Sequence, residues 1–246
     1  MTTLGIIPAR YASTRFPGKP LVDLAGKTMI QRVYEQALKS DLTSVVVATD
    51  DERILTHVLD FGGKAVMTGE HHQSGSDRCY EAYTQVGQEF DVVVNIQGDE
   101  PFIQPEQINK AIFCFQQPEA QIATLIKPIQ SQEELFNPNS PKVVIGAQHQ
   151  ALYFSRHPIP YLRGAEQDQW LEKHAYYKHI GIYGYRSEVL AELTQLAPSA
   201  LEKAESLEQL RWLEHGYRIV TAVTDLETIG IDTPEDVEKA FAYLKK

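Results

Sequence analysis

Strand-length apolar runs alternate with helix-spaced segments through the first half of the chain, and this alternation limits the possible folds more than any other feature. Residues 4–8, 45–48, 64–67 and 91–96 are short apolar runs, 91–96 being the cleanest. Between them, residues 28–38 place Ile30, Val33, Tyr34, Ala37 and Leu38 on one helical face. Residues 51–59 do the same with Ile54, Val58 and Leu59, and 76–86 and 105–115 also read as helices. Such alternation predicts an α/β fold, a mostly parallel sheet with helices on both faces. After about residue 122 the pattern changes. Residues 122–127, 142–147, 151–154, 180–185 and 218–222 read as strands, and 201–214 and 234–244 as helices. Residues 157–178, with Pro158, Pro160 and Gly164, read as a loop or arm outside the core. A single domain over residues 1–246 is expected, with an inserted subdomain or dimerisation element at about 128–190.

No apolar run approaches the roughly 20 residues needed to span a bilayer. The first residues carry no basic, cleavable leader, which makes the cytoplasm the expected location. Cys79 and Cys114 form no paired motif and read as reduced thiols, one or both buried. A net charge of -10 argues against nucleic acid as a partner. It also makes a local basic cluster informative. One follows the first strand directly: residues 8–20 contain Arg10, Arg15 and Lys19 and no carboxylate. In a parallel sheet this loop faces the ligand crevice. Ala9, Ala12, Ser13 and Gly18 would let backbone N–H groups approach phosphate oxygens while the three cations neutralise them. The alternative is a solvated basic loop. Neither a P-loop nor a dinucleotide fingerprint is present.

The run 92–96 ends in Gln97, Gly98, Asp99 and Glu100. Asp99 suits Mg²⁺, which takes oxygen donors from one or two carboxylates plus phosphates and water. An ordinary turn or helix-capping residue is the alternative for it. Glu100 reads as structural or as a neighbour supporting the ligand. Asp232 offers a second carboxylate, but it precedes Pro234, and on spacing alone a capping role for it is favoured. His71 and His72 are adjacent in a loop and are given no role.

Several segments together resemble the 3-deoxy-manno-octulosonate (Kdo) cytidylyltransferase family. They are residues 8–20 (PARYASTRFPGKP), 48–51 (ATDD), 74–78 (SGSDR), 95–101 (NIQGDEP), 153–156 (YFSR), 179–183 (HIGIY), 207–211 (LEQLR) and 231–236 (IDTPED). They occur in the family's order and span nearly the whole chain. The resemblance implies a Rossmann-like nucleotidyltransferase fold, a smaller region that builds the sugar site, and a homodimer. It implies Mg²⁺ as cofactor, and CTP and an acidic eight-carbon sugar as partners. Pro8, Ala9, Arg10, Arg15, Lys19, Ser74, Gly75, Arg78 and Asp99 match positions at CTP. Asp99 and Asp232 match the paired metal ligands, which reverses the capping preference for Asp232. Arg10, Lys19, Asp99 and Asp232 are the implied catalytic set. Arg78, Gln97, Arg156, His179, Tyr183, Glu208 and Gln209 match sugar positions.

The residues also speak for themselves. The Arg156 fork suits a planar carboxylate, or else a surface or interface salt bridge. His179 and Tyr183, four apart on one strand, share a face and could meet sugar hydroxyls, or else pack in the core. Glu208 and Gln209 lie on an amphipathic helix whose core would be Leu207, Leu210 and Leu213; a plain polar helix face is the alternative. Ser76 stands where the family carries Thr, and residues 157–178 are less similar. A relative acting on the 8-amino sugar shares the same motifs. Other readings are a nucleotidyltransferase for a different sugar acid or sugar phosphate, and a non-catalytic nucleotide-binding regulator on the same fold.

Overall fold

A computed structural model describes residues 1–12, 16–72, 74–227 and 230–244, apart from the side chains of residues 239, 243 and 244. The chain forms two compact units, residues 1–109 with 227–246, and residues 110–226.

The first unit runs β1 (Thr3–Ala9), α1 (Met29–Ala37), β2 (Ser44–Thr49), α2 (Glu52–Asp60), β3 (Ala65–Met67), α3 (Gly75–Val86), β4 (Val92–Asn95) and α4 (Pro105–Phe113), the last reaching across the boundary. The strands lie in the order β3-β2-β1-β4 and all pair in parallel. Leu4, Ile6 and Ile7 of β1, Val47 of β2 and Val92 to Val94 of β4 have no exposed surface, which is why these strands are apolar throughout. Side chains start the helices: Thr28, Asp51 and Ser74 each accept from a backbone amide in the first turn of α1, α2 and α3. From β1 the chain steps outward to β2 and β3, then returns to place β4 on the other side of β1. The loops after β1 and β4 therefore leave in opposite directions and open a crevice at the carboxyl edge, where ligands of such sheets bind. A final helix, Pro234–Leu244, returns to this unit. Ile231 and Ala240 pack with Leu24, Met29 and Phe102.

The second unit contains β5 (Ile122–Pro128), α5 (Gln132–Phe136), β6 (Lys142–Ile145), β7 (Ala151–Ser155), α6 (Trp170–Lys173), β8 (Tyr177–Arg186), α7 (Ser187–Leu193), α8 (Ala200–Glu205), α9 (Gln209–Glu214) and β9 (Ile219–Val223). Here β5 is parallel to β9 and antiparallel to β8, and β6 is antiparallel to β7 and β8.

Four expectations need correction. Leu38 and Leu59 are 57% and 53% exposed, because each sits at the trailing end of its helix, beyond the face that meets the sheet. The stretch 157–178 is not merely an arm: it contains α6, and Trp170 and Tyr176 build a small core with Ile129 and Leu135. The helix expected at 201–214 is two helices, α8 and α9, separated at Ser206, whose φ of 51° ends the first. In α9 it is Trp212, not Leu213, that is fully buried beside Leu210. The short helices α5 and α7 carry too few turns to announce themselves by period, and the sequence reading passes over both.

Cys79 and Cys114 are both buried and form no disulfide, and burial pushes the Cys114 thiol up to about 11. No helix among the described residues is long and apolar enough to cross a membrane.

Candidate active site

The carboxyl edge of the first unit gathers the basic loop and the acids. Pro8 and Ala9 end β1, and the loop that follows closes through a hydrogen bond from the Gly18 N–H to the Tyr11 carbonyl at 2.9 Å. Gly18 adopts φ 73°, a left-handed turn that glycine takes without strain, and it starts the 3₁₀ turn Lys19–Leu21. That turn sends the Lys19 side chain inward. Its ammonium donates to Asp99 Oδ2 at 2.8 Å and to Asp232 Oδ1 at 3.3 Å. The acids arrive by separate routes. Asp99 leaves the end of β4, and the Ile231 N–H donates to the Asp99 carbonyl at 2.9 Å, which ties the C-terminal segment to the same turn.

Asp236 takes part in the start of the last helix. Its Oδ2 accepts from the amides of Asp232 and Thr233 at 3.2 and 3.1 Å, so a residue inside the final helix reaches back to cap it. The Asp232 carboxylate instead meets Lys19. The Asp232 carboxylate thus has a partner in the crevice, whatever it adds to the start of the helix.

Two cations of the loop, Arg10 and Lys19, are not uncompensated, as a sequence with no nearby carboxylate suggested. Lys19 is paired as above, and Arg10 Nε donates to Asp50 Oδ2 at 3.3 Å. The same Asp50 oxygen accepts from Arg78 Nη2 at 2.7 Å. The reason is topological: Asp50, Asp99 and Asp232 come from other strand ends or from the far end of the chain. Arg78 also donates to the Thr68 hydroxyl and is only 1% exposed. Arg15 lies outside the described residues. Ser74 caps α3 by accepting from the Asp77 N–H at 3.1 Å, and Gly75 opens that helix. The positive end of α3 is thus at hand for an anion. Gln97 is half-buried on the turn that carries Asp99.

Two carboxylates that share one cation, both hard oxygen donors, fit a divalent ion such as Mg²⁺. Among the described residues no third His, Cys, Asp or Glu joins them. The remaining ligands would be phosphates and water, the usual arrangement for this ion. His72 pairs with Glu81, which also accepts from the Gly69 N–H, so His72 is held structurally.

The sugar-matched residues of the second unit form a compact group. A bulge in β8 sets Tyr183 opposite Thr124 and His179 opposite Ile126, positions two apart on β5. Four residues of regular strand would span about 13 Å, yet the two rings lie 5.1 Å apart. Tyr183 also packs edge-on to Trp212, with ring centroids 5.0 Å apart. The Tyr183 hydroxyl, Gln209 Nε2 and Trp212 Nε1 are buried with no hydrogen-bond partner among the described residues. Polar atoms left this way suit a hydroxyl-rich ligand. Glu208 is half-buried just before α9. Burial raises the Tyr183 phenol well above its usual range, so it stays a neutral O–H.

His179 Nε2 lies 3.0 Å from Thr124 Oγ1. That hydroxyl already donates toward the Ile182 and Ile180 carbonyls at 2.8 and 3.2 Å. The imidazole must therefore donate from Nε2, which leaves Nδ1 as its acceptor. Burial pushes its pKa down to about 4, from 6.5. Between those values the unfolded chain binds a proton that the folded chain refuses. Stability should fall as pH drops from 6.5 to 4. Urea melts across that range should show a shallower loss for His179→Gln, and equal slopes would contradict the assignment.

Arg156 is engaged differently from expectation. Its side chain donates to the carbonyls of Glu205, Pro138 and Ser206 at 2.6, 3.0 and 3.2 Å. It therefore joins β7 to the break between α8 and α9, and a carboxylate would have to compete for its N–H groups. Asp50 is the functional candidate that sequence reasoning passed over. Its only signal was a place in the ATDD segment at the end of β2.

A cytidylyltransferase family model matches residues 4–219. A solved CMP:2-keto-3-deoxy-manno-octonic acid synthetase complexed with CTP is similar at 45% identity and a TM-score of 0.92, covering 100% of this chain and 99% of that one. A 4-diphosphocytidyl-2C-methyl-D-erythritol synthase from Anaerococcus prevotii, 13% identical with a TM-score of 0.64, covers 100% of this chain and 99% of its own and shares the fold. Fold and site thus define an α/β nucleotidyltransferase with a mixed, mostly parallel sheet. The 3-deoxy-manno-octulosonate cytidylyltransferases of Parabacteroides distasonis and Bacteroides thetaiotaomicron are 62% and 61% identical. They cover 99% and 100% of this chain and 98% and 99% of their own. The chain belongs to the 3-deoxy-manno-octulosonate cytidylyltransferase family.

Proposed function

We propose that the chain carries out its family's reaction, transferring CMP from CTP to the anomeric hydroxyl of Kdo and activating the sugar for lipopolysaccharide synthesis. The observation that carries this is the meeting of Asp99 and Asp232 on one Lys19 ammonium, beside a basic loop at the carboxyl edge of a parallel sheet.

The sugar's 2-hydroxyl oxygen forms a bond to the α-phosphorus as the bond to the bridging oxygen of pyrophosphate breaks. The hydroxyl proton is released, and no covalent enzyme intermediate is required. Arg10 and Lys19, with Arg15, neutralise the triphosphate and align it, while the N-terminus of α3 adds fixed N–H dipoles. Asp99 and Asp232 would hold Mg²⁺, which when bound supplies Lewis-acid polarisation of the phosphate and lowers the pKa of the sugar hydroxyl. With the acids holding the ion, the Lys19 ammonium would serve the phosphates. His179, neutral at physiological pH, and Tyr183 offer hydrogen bonds to sugar hydroxyls, together with Glu208 and Gln209; Gln97 keeps the sugar role that the resemblance implies. Arg156 is the cation proposed for the sugar side, while Arg78, matched there by the resemblance, is buried behind Asp50 and is given no direct contact with the sugar. The reading also includes a homodimer, a cytoplasmic location, and a sugar-binding and dimerisation role for residues 128–190, all supported by the resemblance.

Pyrophosphate release should require CTP, magnesium and sugar acid together. A regulator that only binds nucleotide would release none. In a substrate panel, the 8-hydroxy sugar should outpace the 8-amino form, and the reverse order would reassign the substrate.

A further inference from the structure

Asp50 stands between two arginines that come from distant parts of the chain. Its Oδ2 accepts from Arg78 Nη2 at 2.7 Å and from Arg10 Nε at 3.3 Å. The carboxylate is 9% exposed and Arg78 is 1% exposed, whereas the Arg10 side chain is 48% exposed. The three are unequal partners. Arg78 is fixed on both sides, by Asp50 and by the Thr68 hydroxyl. Among the described residues, Arg10 is held by Asp50 and by the Glu70 carbonyl at 3.4 Å.

We infer that Asp50 is a positioning residue: anchored by buried Arg78, it aims the Arg10 guanidinium at the nucleotide phosphates. The charges explain why two arginines are needed. A lone carboxylate paired with Arg10 would orient it and also cancel its charge. With Arg78 behind it, Asp50 is neutralised from within, and the Arg10 charge is left for the phosphate. Arginine suits the task because its planar fork can hold a carboxylate on one edge and phosphate oxygens on another. Arg78, matched by resemblance to a ligand-contacting position, acts on this account through Asp50. The inference rests on the reading of Arg10 as a phosphate ligand.

A double-mutant cycle on the full chain tests it, with kcat and KM measured for CTP and for Kdo. Asp50→Asn removes the charge and keeps the shape. Asp50→Glu keeps a counter-charge for buried Arg78 and shifts the carboxylate by one methylene, so it guards against a variant that fails to fold. Melting temperatures identify the folded variants. Each folded variant should lower kcat/KM for CTP by about 10- to 100-fold, a common penalty for disturbing a buried hydrogen-bonded charge pair. The KM for CTP should rise while that for Kdo stays put. A purely structural defect would instead lower kcat and leave both KM values alone. In an Arg10→Ala background the Asp50 substitutions should add less than about twofold, since residues acting as one unit are not additive. Wild-type kinetics in the Asp50 variants, or a full Asp50 penalty in the Arg10→Ala background, would overturn the inference. If Arg10→Ala itself left CTP kinetics unchanged, the phosphate reading of Arg10 would be the one to fall.

Discussion

Asp99→Ala is expected to lose at least about a thousandfold in turnover while the protein stays folded. The two halves of this expectation have different causes. Asp99 and Asp232 are the acids that converge in the crevice, and no third His, Cys, Asp or Glu among the described residues can substitute for either. Removing one leaves a single carboxylate to hold a divalent ion against water. Several kcal/mol of transition-state stabilisation then disappear, and each 1.36 kcal/mol is a factor of ten. The fold loses little, because the Asp99 carboxylate is 34% exposed and a partly solvated ion pair with Lys19 contributes about 1 kcal/mol or less. Steady-state turnover at saturating CTP and magnesium, beside a thermal melt, checks both halves. Substantial magnesium-dependent turnover in the folded variant would falsify the metal assignment.

Gly98→Ala should be nearly as damaging by a different route. A Cβ at this position would stand 2.5 Å from the Pro8 carbonyl oxygen and 3.5 Å from the Ile7 side chain. The near atom is backbone, so no rotamer change relieves the clash. Either β1 or the turn after β4 must move. Overpacking of this kind costs about 1–3 kcal/mol. The movement falls where it hurts most, because Pro8 precedes the basic loop and Asp99 follows Gly98. A displacement of about 1 Å between reacting groups can cost a hundredfold in rate. Turnover should therefore fall by about that factor, with a lower melting temperature. A variant that melts and turns over like the parent would show that the two loops do not meet this closely.

The strands of the first unit were legible because β1, β2 and β4 are buried on both faces and so read as continuous apolar runs. The helices α1, α2 and α3 were legible because each carries a clear period and a capping side chain. Legibility fell in the second unit. Residues 201–214 carry a helical pattern throughout, yet Ser206 turns left-handed there. Beside that break the Glu205 carboxylate accepts from the Ser155 hydroxyl and the Arg156 N–H at 2.7 and 2.9 Å. Those partners lie about fifty positions away, out of reach of any local pattern.

The sequence alone determined the class of fold, the basic loop after the first strand, the acidic turn after β4, and the family to which these segments point. All of these are local facts, written in hydrophobic period and residue type. Only the tertiary structure decided which charges pair. Lys19 meets partners 80 and 213 positions away, and Asp232, next to the last helix, turns its carboxylate to that same lysine. Asp50 binds two arginines that no pattern links. The physical reason is that a Coulomb interaction depends on distance in space and on burial, and chain separation constrains neither.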